Sequence, residues 1–370
     1  MDYSFTAEQD DAAHLAARIL GDHATPARLQ AVERSGERFD AELWRALGDA
    51  GLIGLALPEE HDGAGLGLVE LCRVLVEAGR LVAPVPLAAH GAASLLLAEL
   101  GTPAQRTEWL AGAASGERVL AAATAEDRSS LPQHPTTAAR ADGDGYRVTG
   151  TKTVVGAGTL AHGLLVTASS PSGPAVFLVR PDDAGVTLVV QTVSDGDPVA
   201  RIELADVVLG PERLLGAPDG SATARLHDLV TITVCAEQLG VTEGALRLTA
   251  AYAGTREQFG RPIGTFQAVS QRLADGYIDV LGQRLMLWQA AWRLAEGLPV
   301  TTEVAAAKLW AADAGHRLAH TAVHVHGGVG IDLDGETHRY FTHAKRLELV
   351  HGGATEQALC IGRTLAAEPV

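Results

Sequence analysis

Two features of this chain have the chemistry to hold a phosphate. The first is Arg256, which opens the run Arg256-Glu257-Gln258-Phe259-Gly260-Arg261-Pro262-Ile263-Gly264-Thr265-Phe266-Gln267. A guanidinium presents a fixed fork of donors that matches phosphate oxygens. The second is His326-Gly327-Gly328-Val329-Gly330. Its glycines permit close backbone approach and a turn that points N–H groups at an anion. Taken alone, the first run also has a plainer reading, in which Gly260 and Pro262 make a helix–helix turn and Arg256 is solvated. The 14 histidines are read as scattered apart from His324 and His326, and no metal site is expected. Cys72, Cys235 and Cys360 fit neither a zinc site nor a disulfide framework. They are expected to be buried thiols in a reducing cytosol. No Gly-x-Ser-x-Gly elbow occurs, which disfavours a triad hydrolase. No Gly-x-Gly-x-x-Gly follows a strand and opens a helix, which disfavours nicotinamide binding.

The elements that must position these residues change character along the chain. Residues 1–120 read helical. Thr6-Ala7-Glu8-Gln9 resembles a capping box, and apolar residues recur at helical spacing around Leu43–Leu47 and Leu68–Leu75. Between them, Leu57–Gly65 is a loop rich in helix breakers. Residues 121–220 contain β-rich runs over 145–155, 163–168 and 175–179, separated by Gly, Asp and Pro, which suggests a small β-barrel or sandwich. Residues 221–370 return to long helices, roughly 222–252, 265–297, 302–326 and 354–366, the pattern of a helical bundle.

The chain has 370 residues, 47% of them hydrophobic, enough for several packed lobes. No apolar run reaches the roughly 18 residues a membrane span needs, and the first residues lack the basic and apolar regions of a signal peptide. A cytoplasmic protein without membrane insertion is expected. A formal net charge of -16 argues against nucleic acid as a partner.

Three stretches together resemble the acyl-CoA dehydrogenase family. They are Gly54-Leu55-Ala56-Leu57-Pro58-Glu59-Glu60-His61-Asp62-Gly63-Ala64-Gly65, the Arg256 run, and the Gly327–Gly328 turn. The resemblance implies an α+β fold with an N-terminal helical domain, a middle β-barrel domain and a C-terminal four-helix bundle. It implies FAD, an acyl-CoA substrate and electron-transfer flavoprotein as electron acceptor. It implies that Arg256 meets the pyrophosphate of a neighbouring subunit's FAD. Gln258, Phe259, Ile263 and Gln267 would line that arm, with Gly327 and Gly328 on the adenosine side. His324 takes a position where the family commonly has Gln, and it is expected, with Thr355 and Gln357, to be cofactor-binding.

The departures are as informative. The family's catalytic Glu, in a Tyr-Glu-Gly-Thr run, aligns with Gly353 through Thr355 and Gln357. The alternative Glu position, on the first long bundle helix, falls on Val230. Neither residue is a base. Asp228, His351 and Glu356 are weak candidates for a relocated one. In the β segment Thr124 and Ser129 keep flavin-contacting roles by resemblance, but the aromatic run near the flavin is replaced by Thr153-Val154-Val155-Gly156. Lys152, just before it, reads as a strand-end charge. Parts that serve a neighbour's FAD look intact, and parts that serve this chain's own look eroded. That pattern resembles the non-catalytic subunits of heteromeric actinobacterial acyl-CoA dehydrogenases, paired with a homologous catalytic subunit in an α2β2 heterotetramer. The alternatives are a self-sufficient homotetramer with a moved base and a non-enzymatic acyl-CoA-binding module.

Overall fold

A computed structural model describes residues 4–367. Six helices come first: α1 (Ala7–His23), α2 (Pro26–Arg34), α3 (Ala41–Asp49), α4 (Leu68–Arg80), α5 (Leu87–Leu100) and α6 (Pro103–Trp109). Eight strands follow: β1 (Leu120–Ala123), β2 (Ala138–Asp142), β3 (Gly145–Gly156), β4 (Gly163–Ser170), β5 (Gly173–Val179), β6 (Val186–Gln191), β7 (Val199–Leu209) and β8 (Leu214–Leu215). The C-terminal helices are α7 (Ser221–Thr255), α8 (Gln267–Ala295), α9 (Thr301–His326), α10 (Thr337–Leu349) and α11 (Ala354–Ala367). A short hairpin, β9 (Glu257–Gln258) and β10 (Arg261–Pro262), joins α7 to α8. The class is α+β, with helical segments on either side of a central sheet domain. Thr6 does form the capping box with Gln9 that starts α1.

The chain packs as two compact units. One comprises residues 1–34, 72–83 and 234–370, the other residues 35–71 and 84–233. The division falls within α4 and within α7.

In the first unit, α4 and α7 cross with their backbones in contact. A Cβ on Gly240 would lie 2.1 Å from the Val76 carbonyl oxygen, and one on Gly79 would lie 2.1 Å from that of Glu237. Only glycine permits this approach. Arg80, at the end of α4, donates to Glu243 on α7 at 2.6 Å and pairs with Glu77. Its carbonyl accepts from the Tyr340 hydroxyl of α10 at 2.8 Å. Among the bundle helices, α10 is the one absent from the expected set, although its apolar residues Tyr340, Ala344 and Leu347 share one buried face. Its buried face includes Thr337, Arg339 and His343. Arg339 is held by Glu33, and His343 lies 2.8 Å from a Glu237 oxygen. His316 and His320 are not scattered: their rings are 4.5 Å apart on α9. Cys72 and Cys235 are buried thiols, but Cys360 is only half-buried, because α11 buries no residue fully.

In the second unit the sheet runs β6-β7-β3-β2-β4-β5-β8, with β1 pairing parallel to β4. The join in the middle is narrow: β2 meets β4 only at Ala138 and Ser169. The expectation that Lys152 is a strand-end charge is wrong. Lys152 has no exposed surface. Its ammonium donates to Glu126 Oε1 at 2.8 Å, Thr167 Oγ1 at 3.0 Å and the Thr124 carbonyl at 3.3 Å. Glu126 also accepts from the N–H and hydroxyl of both Thr136 and Thr137. One carboxylate therefore ties the start of the β1–β2 connection to its end. Burial alone would raise the Glu126 carboxyl, but the bonds from Lys152, Thr136 and Thr137 outweigh it and hold it at about 2. Burial lowers the Lys152 ammonium to about 8 against the pull of Glu126. Both are ionised at neutral pH.

Two outcomes test this packing. Lys152→Met leaves a buried carboxylate uncompensated and is expected to cost about 3–5 kcal/mol, with most of it recovered when Glu126→Gln is added; a urea titration that finds the single variant as stable as the wild type refutes the pairing. Gly240→Ala forces a methyl against backbone and is expected to cost about 1–3 kcal/mol, read as a lower unfolding midpoint.

Candidate functional site

The phosphate-binding candidates converge on one face of the first unit. Arg256 follows α7 directly, its N–H bonded to the Tyr252 carbonyl at 2.8 Å. The Arg256 carbonyl accepts from Ile263 N–H at 2.8 Å, which closes the hairpin onto the helix end. At the hairpin tip Phe259 holds a left-handed φ of 54° and is 93% exposed. Phe266 packs edge-on to Phe259 and lies under the Arg261 guanidinium, 4.2 Å from the ring centre. Arg256, Gln258 and Gln267 are exposed, and Ile263 is half-buried.

The end of α9 comes to the same place. The His326 ring stacks on Tyr252, centroids 4.3 Å apart and planes 22° from parallel. Tyr252 lies one helical turn before Arg256, so the stack brings the Gly327–Gly328 turn beside the arginine. Gly327 has φ 67°, and a Cβ on either glycine would meet nothing within 4 Å. Both backbone positions are open to a ligand. An exposed guanidinium, an exposed aromatic ring and an open glycine turn, in which the Gly327 N–H is taken by the Val323 carbonyl, suit a dinucleotide's pyrophosphate and nucleoside. The residues fit that part of FAD. His324 is exposed nearby in sequence.

The base positions tell a different story. Gly353 does not answer a steric demand. A Cβ there would meet only ordinary contacts, 3.8 Å from the Glu348 oxygen and 3.9 Å from Leu349 Cδ2. The turn before it is well built. Lys308, buried in α9, donates to the carbonyls of Leu347 and Glu348 at 3.0 and 3.1 Å and so caps α10. Burial lowers its ammonium to about 8. His351 and Gly352 turn through left-handed φ of 60° and 92°. Gln357 donates to the His351 carbonyl at 2.9 Å. Glu356 is exposed and accepts from Gly353 N–H, a capping contact for α11. Thr355 is exposed.

In the second unit Val230 is buried on α7, 3% exposed. Burial raises the Asp228 carboxyl to about 6, with Arg225 opposing. Sequence reasoning missed His227, one turn before Val230. Its Nε2 is buried without a partner among the described residues. Burial, then the nearby Lys152 charge, lowers the imidazole to about 4. No motif marks it; only its spacing from Val230 could have. Thr124 is 2% exposed, its carbonyl taken by Lys152, and Ser129 pairs its backbone with Glu126. Both therefore stand on the Lys152–Glu126 scaffold.

Comparison with known proteins identifies the family. The description "Acyl-CoA dehydrogenase, N-terminal domain" matches residues 6–117, and "Acyl-CoA dehydrogenase, C-terminal domain" matches residues 228–366. The chain is 45% identical over 378 residues to acyl-CoA dehydrogenase FadE27 of Mycobacterium tuberculosis, covering 100% of both. Its structure is similar to a chain of the ChsE4-ChsE5 complex from M. tuberculosis, with a TM-score of 0.95, 45% identity and 100% coverage of both. It is also similar to a chain of the Tcur3481-Tcur3483 steroid acyl-CoA dehydrogenase, with a TM-score of 0.91 and 42% identity over 97% of this chain and 98% of that one. Fold, motifs and full-length relatives converge: this chain belongs to the acyl-CoA dehydrogenase family of FAD-dependent oxidoreductases acting on CH–CH bonds.

Proposed function

We propose that this chain is the non-catalytic subunit of a heteromeric acyl-CoA dehydrogenase, completing the FAD site of a homologous catalytic partner in an α2β2 assembly. The observation that carries this reading is a split within one chain. The dinucleotide arm around Arg256, Phe259 and Gly327 is assembled and open, whereas both base positions lack a titratable group although the backbone at Gly353 would accept one. Glu356 is engaged as a helix cap. The surface supports a partner of the same kind. Tyr277, Ile278, Leu281, Leu285 and Trp292 of α8 are 58%, 61%, 38%, 47% and 43% exposed, an apolar stripe at helical spacing. Two of the similar structures are two-component complexes by name. A steroid-type acyl-CoA is the substrate class favoured by the second of these.

In the reaction the substrate loses a proton from the carbon alpha to the thioester and a hydride from the beta carbon. Bound FAD supplies the hydride acceptor. In this reading the partner supplies the carboxylate that takes the proton. This chain's part is to bind and orient: Arg256 pairs with the pyrophosphate, the open Gly327–Gly328 backbone lets the adenosine side approach closely, and Phe259 covers the dinucleotide. Electron-transfer flavoprotein is the proposed electron acceptor. Among the described residues no helix is long and apolar enough to cross a membrane.

The test is the visible spectrum of the chain expressed alone and with an acyl-CoA dehydrogenase encoded beside it. Bound FAD and dye-linked acyl-CoA oxidation are expected only in the co-expressed pair. Flavin and turnover in the chain alone overturn the reading and turn attention to Asp228, His227 and His351. Within the pair, Arg256→Ala removes a charge-assisted bond of roughly 1.5–3 kcal/mol. It is expected to lower flavin content after dialysis, while unchanged content removes Arg256 from the site.

A further inference from the structure

We propose that His326 selects the adenine end of the dinucleotide, by accepting a hydrogen bond through Nε2 from the exocyclic amine of the base. The inference rests on the dinucleotide-arm reading above and adds a specificity-determining residue to it.

The ring's tautomer follows from its partner. His326 Nδ1 lies 2.8 Å from the carbonyl oxygen of Ala322, one turn back on α9. A carbonyl only accepts, so Nδ1 carries the hydrogen. In the neutral imidazole the other nitrogen is then a bare acceptor. Nε2 has no partner among the described residues, and His326 is only half-buried. The ring is also held in place. Tyr252 covers one face of it at 4.3 Å, and rotation would break both the stack and the Ala322 bond. A fixed, single-sense acceptor therefore stands next to Gly327, on the helix end that the Tyr252 stack joins to Arg256.

Chemistry then narrows what it reads. A dinucleotide whose pyrophosphate engages Arg256 carries its nucleoside only a few bonds further on. An acceptor there favours a base that offers an amino donor, as adenine does at N6, and opposes one that offers a carbonyl at the same position. A site built to bond a substrate N–H rejects the analogue that lacks it more sharply than an apolar pocket rejects a change of size. His324, two residues earlier, is exposed and has neither a stacking partner nor a ring bond, so it lacks this fixed sense.

The experiment compares FAD with its hypoxanthine analogue, which carries a carbonyl in place of the amine, by titration into the flavin-stripped assembly followed by fluorescence. The wild type is expected to bind the analogue about tenfold more weakly, the equivalent of one net hydrogen bond. His326→Phe keeps an aromatic ring over Tyr252 but removes both nitrogens. It is expected to bind FAD about tenfold more weakly and to treat the two flavins alike. Equal affinity of the wild type for both, or a preference that survives in His326→Phe, overturns the proposal. The wild-type comparison stands even if the variant misfolds. Arg256→Ala, titrated alongside, separates the two readings. If it weakens both flavins equally while the wild type shows no preference, the arm is real and His326 does not read the base. If it changes neither affinity, the arm reading falls and this inference falls with it.

Discussion

Backbone contact between α4 and α7 is the constraint on which the candidate arm depends. Helix α7 is 35 residues long and unbroken. Where its axis lies at Gly240 decides where Tyr252 and Arg256 arrive several turns later. The crossing has no side chains to cushion it, because Gly79 and Gly240 place carbonyl oxygens where a methyl would otherwise sit. Small adjustments are therefore not available: a packed interface of this kind either closes or separates. Arg80 locks it further by pairing with Glu243 of α7, while its carbonyl holds Tyr340 of α10. The Tyr252–His326 stack then ties the end of α9 to the same axis.

The second unit solves a different problem. A connection of irregular backbone between β1 and β2 must hold one shape without strand pairing. Glu126 and Lys152 provide that shape from inside. Every donor of the ammonium finds an acceptor, and the carboxylate takes five bonds. A buried ion pair is a doubtful source of stability by itself, since desolvation cancels most of the attraction. Its full satisfaction is what makes it a scaffold, because any displacement of the connection leaves a buried charge short of partners. The turn that carries Thr124 and Ser129 is thus rigidly built even though Val154, in the altered run beyond Lys152, is a small, 41% exposed side chain.

The lack of a titratable group at Gly353 is a matter of side chain and not of backbone. The turn at residues 350–353 is capped by Lys308 and braced by Gln357, and it has room for a larger residue at Gly353. Nothing in the local conformation compels the loss.

Much of this was legible in the residues. The order of helices, strands and helices follows from periodicity and from where Gly and Pro fall, since those signals act on the backbone within a few residues. The Arg256 run and the Gly327–Gly328 turn could be singled out for the same reason: their chemistry is local. That Gly353 and Val230 carry no titratable group could also be read directly. What only the tertiary structure decided were properties that depend on residues far apart in the chain. Lys152 looked like a strand-end charge until Glu126 and Thr167 enclosed it. Helix α10 was missed although it is amphipathic, because its buried face mixes Thr337, Arg339 and His343 with Tyr340, Ala344 and Leu347, and Glu33 and Glu237, which hold the arginine and the histidine, lie more than 100 residues away. His326 was marked only by its place before Gly327 and beside His324 until Tyr252 covered its ring and Ala322 set its tautomer. A polar side chain reveals its role through the groups that complete its hydrogen bonds, and the fold chooses those groups.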